Sequence, residues 1–235
     1  MRKKLENLVY SYAAPYENKR TLYVNVVPNY SCTNDCLFCH RHDAEEGESN
    51  IYELRAGKSL YLPRAPSVDE IVCAVKKQKE FRGKPEEIAF VGLGEPLLEY
   101  KLVRDSIRKL RRNGKARFRI DTNGQVDCWY ADAAKGLKEA GLDEIRISVN
   151  ATNKEDYDIL CRPKLPFAYE KMLKFLEDCT ECGIDTYASF VIGFPGTKTS
   201  QEYRDFILDY AVKDLILRPY VKPAKEPIEA HSGIF

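Results

Sequence analysis

Long hydrophobic runs are missing from this 235-residue chain, and none approaches the roughly 18 apolar residues a membrane-spanning helix needs. A signal-peptide core is missing too, because Arg2-Lys3-Lys4 is followed by Leu5-Glu6-Asn7 and not by an apolar stretch. Charge of one sign is also lacking. With 37 Lys and Arg against 36 Asp and Glu, no whole-molecule field draws the chain to nucleic acid or an anionic membrane. No low-complexity tract or internal repeat divides it. What is present is globular: 44% hydrophobic and 31% charged residues, in a chain long enough to bury a core without a metal or disulfide to hold it. Eight cysteines without a secretory leader are expected as thiols rather than as a disulfide framework. The expectation is a cytoplasmic protein with no membrane partner. Its folded domain would span 21–220, flanked by an N-terminal extension (1–20) and a proline-rich tail (221–235).

Strand and helix signals alternate along that domain. β-Branched runs predict strands at Thr21–Pro28, Glu87–Gly92, Arg117–Asp121, Glu144–Val149, Thr186–Ile192 and Leu215–Tyr220. Between them, helices are predicted from the Ser67-x-x-Glu70 capping box, over Tyr100–Asn113, Trp129–Ala140 and Phe167–Cys182, and from the Thr199-x-x-Glu202 capping box. Repeated strand-helix units imply an α/β fold of parallel strands with right-handed crossovers, either an open sheet or a barrel. Both place their chemistry at the carboxyl ends of the strands, so the residues after each strand are the informative ones.

After the first strand comes Cys32-x3-Cys36-x2-Cys39, three thiols close enough to converge on one soft metal centre. Zinc would want a fourth ligand, which His40 or His42 could supply, giving a non-catalytic zinc-binding interaction protein. The other reading is a [4Fe–4S] cluster with three protein ligands and one open iron. After the second strand comes Gly92-Leu93-Gly94-Glu95-Pro96, where glycines allow close approach and a carboxylate can accept from an ammonium. Asp121-Thr-Asn123-Gly124 and Ser148-Val-Asn150-Ala151 follow the next two strands. Either set serves as turn chemistry; together they outline a pocket for a polar, zwitterionic ligand.

These motifs resemble the radical S-adenosylmethionine (radical SAM) superfamily. More narrowly, the strings NYSCTNDCLFC, GLGEPLL, DTNGQ, ISVNA and DILCRP are similar to the small TatD-associated radical SAM proteins. The resemblance implies a partial (β/α)6 TIM-like barrel in which Cys32, Cys36 and Cys39 hold a [4Fe–4S] cluster. It implies reductive cleavage of S-adenosylmethionine to methionine and a 5′-deoxyadenosyl radical that abstracts hydrogen from a substrate, with a flavodoxin or ferredoxin as electron donor. Gly94 and Glu95 would hold the cofactor amine. Asn123, Ser148 and Asn150 would contact ribose and carboxylate, and Arg162 would pair with the carboxylate. Phe38 and the backbone near Ile192 and Gly193 would lie against adenine. Cys161, read as a rim-loop thiol beside Arg162, is the one candidate for a catalytic side chain. The substrate, whether small molecule, peptide or RNA, is set by side chains that carry no motif.

Other features read more simply. Cys179 and Cys182 are expected as buried thiols rather than ligands of a second cluster. Arg104, Arg108, Arg111, Arg112 and Lys115 are expected on a solvated helix face. The acidic run after Asp43 belongs to a long 40–66 connection suited to a substrate lid or a partner surface.

Overall fold

The computed structural model describes residues 5, 8–11, 20–45, 60–82, 84–112 and 114–221. These form one seven-stranded sheet whose spatial order is the chain order: β1 (Val9–Tyr10), β2 (Thr21–Val24), β3 (Glu87–Phe90), β4 (Arg117–Thr122), β5 (Glu144–Ser148), β6 (Asp185–Ile192) and β7 (Asp214–Pro219). From β2 to β7 every pairing is parallel, while β1 adds antiparallel to β2 through Val9–Val24 and Tyr10–Tyr23. Part of the segment expected as an extension thus completes the sheet edge, with Leu8, Val9 and Tyr10 all buried.

The helices are α1 (Arg41–Glu45), α2 (Val68–Arg82), α3 (Tyr100–Arg111), α4 (Ala133–Ala140), α5 (Lys154–Cys161), α6 (Ala168–Glu181) and α7 (Ser200–Ile207). Both predicted capping boxes form. Glu70 N donates to Ser67 Oγ and Ser67 N to the Glu70 carboxylate, with the same reciprocity between Thr199 and Glu202. The helix expected from Trp129 begins only at Ala133, after a 3-10 turn over Gln125–Cys128 and a left-handed Asp132. Helix α5 was not expected, although its start is written in the sequence: Asn153 Oδ1 accepts from Asp156 N, and Glu155 and Asp156 fill the first turn.

The strands alternate in two chemistries. One face carries Ile88, Phe90, Phe118, Ile120, Ile145 and Ile147, packed against α-helical Val75, Val103, Ile107, Leu137 and Phe175 in the main core. The other face carries Glu87, Arg119, Asp121, Glu144, Arg146 and Arg218, linked by ion pairs such as Arg119–Glu87 (3.0 Å) and Arg146–Glu144 (2.8 Å). Asp121 on β4 meets Arg218 on β7 at 3.1 Å. In a flat sheet, strands three apart would be about 14 Å apart, so the sheet must curl and the charged face lines a barrel lumen.

Candidate active site

The cysteine loop leaves β2 through buried Val26 and Val27 and a 3-10 turn in which Asn29 and Tyr30 adopt φ of 50° and 53°. It is then seated on the end of α5. Asp35 N donates to the carbonyls of Cys161 (3.0 Å) and Arg162 (3.2 Å), Leu37 N to Leu160 O (2.9 Å), and Lys164 N to Thr33 O (2.8 Å). Beneath it lies a buried polar network. Asn34 Nδ2 donates to the Tyr157 hydroxyl (3.1 Å), and Gln125 Nε2 donates to both Asn34 Oδ1 (2.6 Å) and that hydroxyl (2.9 Å). Arg41, buried beside the loop, donates to Asn34 O (2.9 Å) and to Asp35 Oδ1 (2.6 Å). This framework fixes the loop chiefly through its backbone and the Asn34, Asp35 and Arg41 side chains.

Cys32, Cys36 and Cys39 all line one cavity of about 250 Å³. Backbone N–H groups of Asn34 and Arg41 point at the sulfurs of Cys32 and Cys39, each at 3.4 Å, as suits sulfur that is to carry negative charge. As thiols, Cys32 and Cys36 hold their protons firmly. Burial, with the Glu95 carboxylate nearby, pushes Cys32 up to about 12. A hydrogen bond with the Cys161 thiol, and then burial, raises Cys36 well above its ordinary value. Ligation by iron displaces such protons. Among the described residues no three His, Cys, Asp or Glu side chains crowd around a single ion. Three sulfurs spread on one cavity wall suit a cluster, where each binds its own iron.

Gly94 and Glu95 form the next part of the wall. Gly94 has φ of +124°, and a Cβ there would lie 2.5 Å from Ser31 O, so the β3 exit packs directly on the start of the cysteine loop. Glu95 is 2% exposed. Its Oε1 accepts from Leu97 N (2.8 Å) and the Thr122 hydroxyl (2.7 Å), and its Oε2 from Asn123 N (2.7 Å). Even so, burial raises its pKa from 4.5 to about 7, against the lowering by those donors. A carboxylate aimed into the cavity at this cost is suited to a cationic or amine ligand.

The cavity brings together Phe38, Gly94, Glu95, Asn123, Ser148 and Asn150 with the cysteines. The two asparagines also serve the frame: Asn123 Nδ2 donates to Thr33 Oγ1 (2.7 Å), and Asn150 Oδ1 accepts from Val191 N (3.1 Å). Val191 reaches the wall; Ile192 and Gly193, one and two residues on, are not among the lining residues. Arg162 is not brought to the cavity. It caps α5 at φ 45° and lies instead in a shallow surface pocket with Lys154, Pro163 and Phe167. Cys161 is not a rim-loop residue but the buried last residue of α5, its thiol turned to Cys36 and away from the cavity. His40 lines the cavity and stacks on Tyr220 at 6.3 Å, while His42 sits 3.6 Å from Asp35.

Three contributors went unread in the sequence. Tyr220 lines the cavity with Phe38, and Phe194, outside the lining, packs between the two rings with centroids 5.8 Å and 4.9 Å away. Arg218 lines the cavity beside Asp121. The signal for Arg218 was the period-two charge in RFRID and EIRIS, which marks a polar lumen opposite the helix-packed face. Cys179 lies in the main core, as expected, with Cys182 against it. Arg104 and Arg108 pair with Asp105, and Arg111 bridges to Asp143. The 40–66 connection is described only at its ends, so the region proposed as a lid lies largely outside the described residues, as does the tail from 222.

Comparison with known proteins bears on the family and the fold. The family model of the radical SAM superfamily matches residues 26–207. The chain is 26% identical over 173 residues to a probable GTP 3',8-cyclase of Saccharolobus islandicus, covering 74% of this chain and 46% of that protein. It is 24% identical over 190 residues to another from Sulfurisphaera tokodaii, covering 81% and 52%. The chain therefore spans about half the length of the curated relatives it matches. Among solved structures, anSMEcpe with bound AdoMet superposes with a TM-score of 0.62 at 16% identity, over 90% of this chain and 54% of that one. TYW1 with a lysine-pyruvate adduct gives 0.60 at 16% identity, over 86% and 65%. These likenesses support the partial TIM-like barrel. With the family model matching across most of the fold, this chain belongs to the radical SAM superfamily, whose members use a [4Fe–4S] cluster and S-adenosylmethionine.

Proposed function

We propose that the chain is a radical SAM enzyme, with Cys32, Cys36 and Cys39 as the cluster ligands. The observation that carries the reading is one wall: Cys32, Cys36 and Cys39 share a cavity with a buried carboxylate whose ionisation burial makes costly. Held by Cys32, Cys36 and Cys39, a cluster would supply the electron for reductive cleavage of S-adenosylmethionine to methionine and a 5′-deoxyadenosyl radical able to take hydrogen from substrate. This chain's residues do the rest. Glu95 accepts hydrogen bonds from the cofactor amine, Gly94 keeps the wall close, and Ser148 faces the ribose and carboxylate with Asn123 and Asn150. Phe38, with Phe194 and Tyr220, gives the adenine an apolar surface and excludes water. The strings around Cys32–Cys39 and Asp158–Pro163 favour placement with the TatD-associated radical SAM proteins. A flavodoxin or ferredoxin is the proposed electron donor. No described helix is long and apolar enough to cross a membrane.

The test is anaerobic reconstitution followed by reduction. The protein should bind about four irons and four sulfides, lose them in Cys36→Ala, and release 5′-deoxyadenosine slowly without substrate. A colourless protein carrying one zinc, or a loaded and reduced protein releasing no deoxyadenosine, would overturn it.

A further inference from the structure

We propose that Arg218, held across the barrel by Asp121, is the anchor for an anionic group, carboxylate or phosphate, on a small-molecule substrate. The inference rests on the radical SAM reading of the cavity and adds a substrate class to it.

The lumen charges fall into two groups. Deeper in the barrel, acids and bases pair with one another: Arg119 with Glu87 at 3.0 Å and Arg146 with Glu144 at 2.8 Å. Arg119 and Glu87 are each 1% exposed, so this layer is closed to ligands. The pair at the mouth differs. Arg218 and Asp121 both line the cavity, and the Arg218 side chain keeps 37% of its exposure. A guanidinium carries five N–H donors in a planar fork. Asp121 takes one of them, at 3.1 Å, and among the described residues no other acceptor engages the rest. The donors left over are those that match a carboxylate or phosphate in two-point fashion.

Asp121 is placed to hold this arginine and not to compete for a ligand's ammonium. Burial alone would raise its pKa, but Arg119, Arg218 and Arg146 outweigh it and keep the carboxyl ionised. Its other oxygen lies 3.2 Å from Arg119 Nε in an ion-pair contact, so cations flank Asp121 on both sides and the carboxylate's one hydrogen bond among the described residues goes to Arg218. Around it, Ser189 on β6, the register partner of Ser148, lines the cavity and adds a neutral hydrogen-bonding group. The cofactor's amine is assigned to Glu95, at the exit of the neighbouring strand β3. Asp121 sits two residues before Asn123 on its strand, one step further into the lumen, where a substrate would lie beyond the cofactor.

The experiment uses the cluster-loaded protein with S-adenosylmethionine present and two probes, inorganic pyrophosphate and succinate, measured by calorimetry at fixed ionic strength. Arg218→Met should weaken binding of at least one probe by about tenfold or more, with Arg218→Lys intermediate because a point charge replaces the fork. Arg204→Met, which removes an exposed α7 cation, should change neither. S-Adenosylmethionine affinity should stay within about twofold throughout, since the cofactor's charge-assisted bond is assigned to Glu95. Loss of pyrophosphate binding alone assigns a phosphate; loss of succinate binding alone assigns a carboxylate. The proposal is overturned if neither probe binds the unaltered protein, if Arg218→Met binds both as well as it does, or if that variant instead loses S-adenosylmethionine. Anion binding that depends on Arg218 in a protein releasing no deoxyadenosine would support the anchor and overturn the cleavage reading alone.

Discussion

Replacing Glu95 by glutamine should flatten the pH dependence of this protein's stability. In the unfolded chain a glutamate releases its proton near pH 4.3. In the fold, burial holds it until about 7. Between those values the native state carries more protons than the unfolded state, so stability is full below the window and falls as pH rises through it. The 2.5-unit rise from 4.5 corresponds to about 3 kcal/mol, level above pH 7. Glutamine imitates the protonated acid, since only the Thr122 hydroxyl among the three neighbours can turn from donor to acceptor. One backbone N–H, of Leu97 or Asn123, then loses its acceptor at about 1 kcal/mol. Without cofactor, Glu95→Gln should therefore melt close to the unaltered protein at pH 5 but be about 2 kcal/mol more stable at pH 8, roughly 4–8 °C for a chain of this size. The assay is thermal unfolding of the reduced, cofactor-free protein from pH 5 to 8. Parallel profiles, or a glutamine variant that is the weaker one at pH 8, would refute the reasoning and show that three hydrogen bonds suffice to hold the ionised form. The same variant should lose S-adenosylmethionine affinity by about ten- to a hundredfold through the missing charge-assisted bond.

Tyr157→Phe removes the acceptor of two buried amide N–H groups, from Asn34 and Gln125, and should cost about 1–3 kcal/mol in denaturant unfolding; an unchanged midpoint would deny that network a stabilising role. Gly94→Ala forces a Cβ within 2.5 Å of Ser31 O and 2.7 Å of Val27 Cγ1 at φ +124°. It should cost about 1–3 kcal/mol and weaken cofactor binding without removing any functional group, and normal calorimetric affinity would count against the close wall. Cys161→Ala should keep its iron where Cys36→Ala loses it, because Cys161 neighbours a proposed ligand and does not line the cavity; equal iron loss in both would make Cys161 a ligand.

The sequence carried the six parallel strands within a residue or two at most ends, because β-branched runs, glycine stops and two capping boxes are local signals. It carried the cysteine loop and the Gly94-Glu95 exit because their chemistry lies in contiguous residues. What it hid depends on contacts distant in the chain. Arg162 was expected at the cofactor, but the left-handed cap it forms turns it to the surface. Arg218 was passed over although it reaches Asp121, since that meeting exists only once the sheet curls. β1 escaped notice because two residues, Val9 and Tyr10, are too short a run to show alternation.

The seating of the cysteine loop on the end of α5 also orders events during synthesis. Its anchors, Tyr157 and the backbone of 160–164, leave the ribosome more than a hundred residues after Cys32. At about 5–20 residues per second, the thiols would wait roughly 6–25 s before the seat on α5 completes the framework around them. During that wait they are ordinary, exchangeable cysteines, open to oxidation and to stray zinc. Delivery of iron and sulfide is thus expected to be a late, post-assembly step. A chain cut before Tyr157 should keep all three cysteines and still fail to retain a cluster.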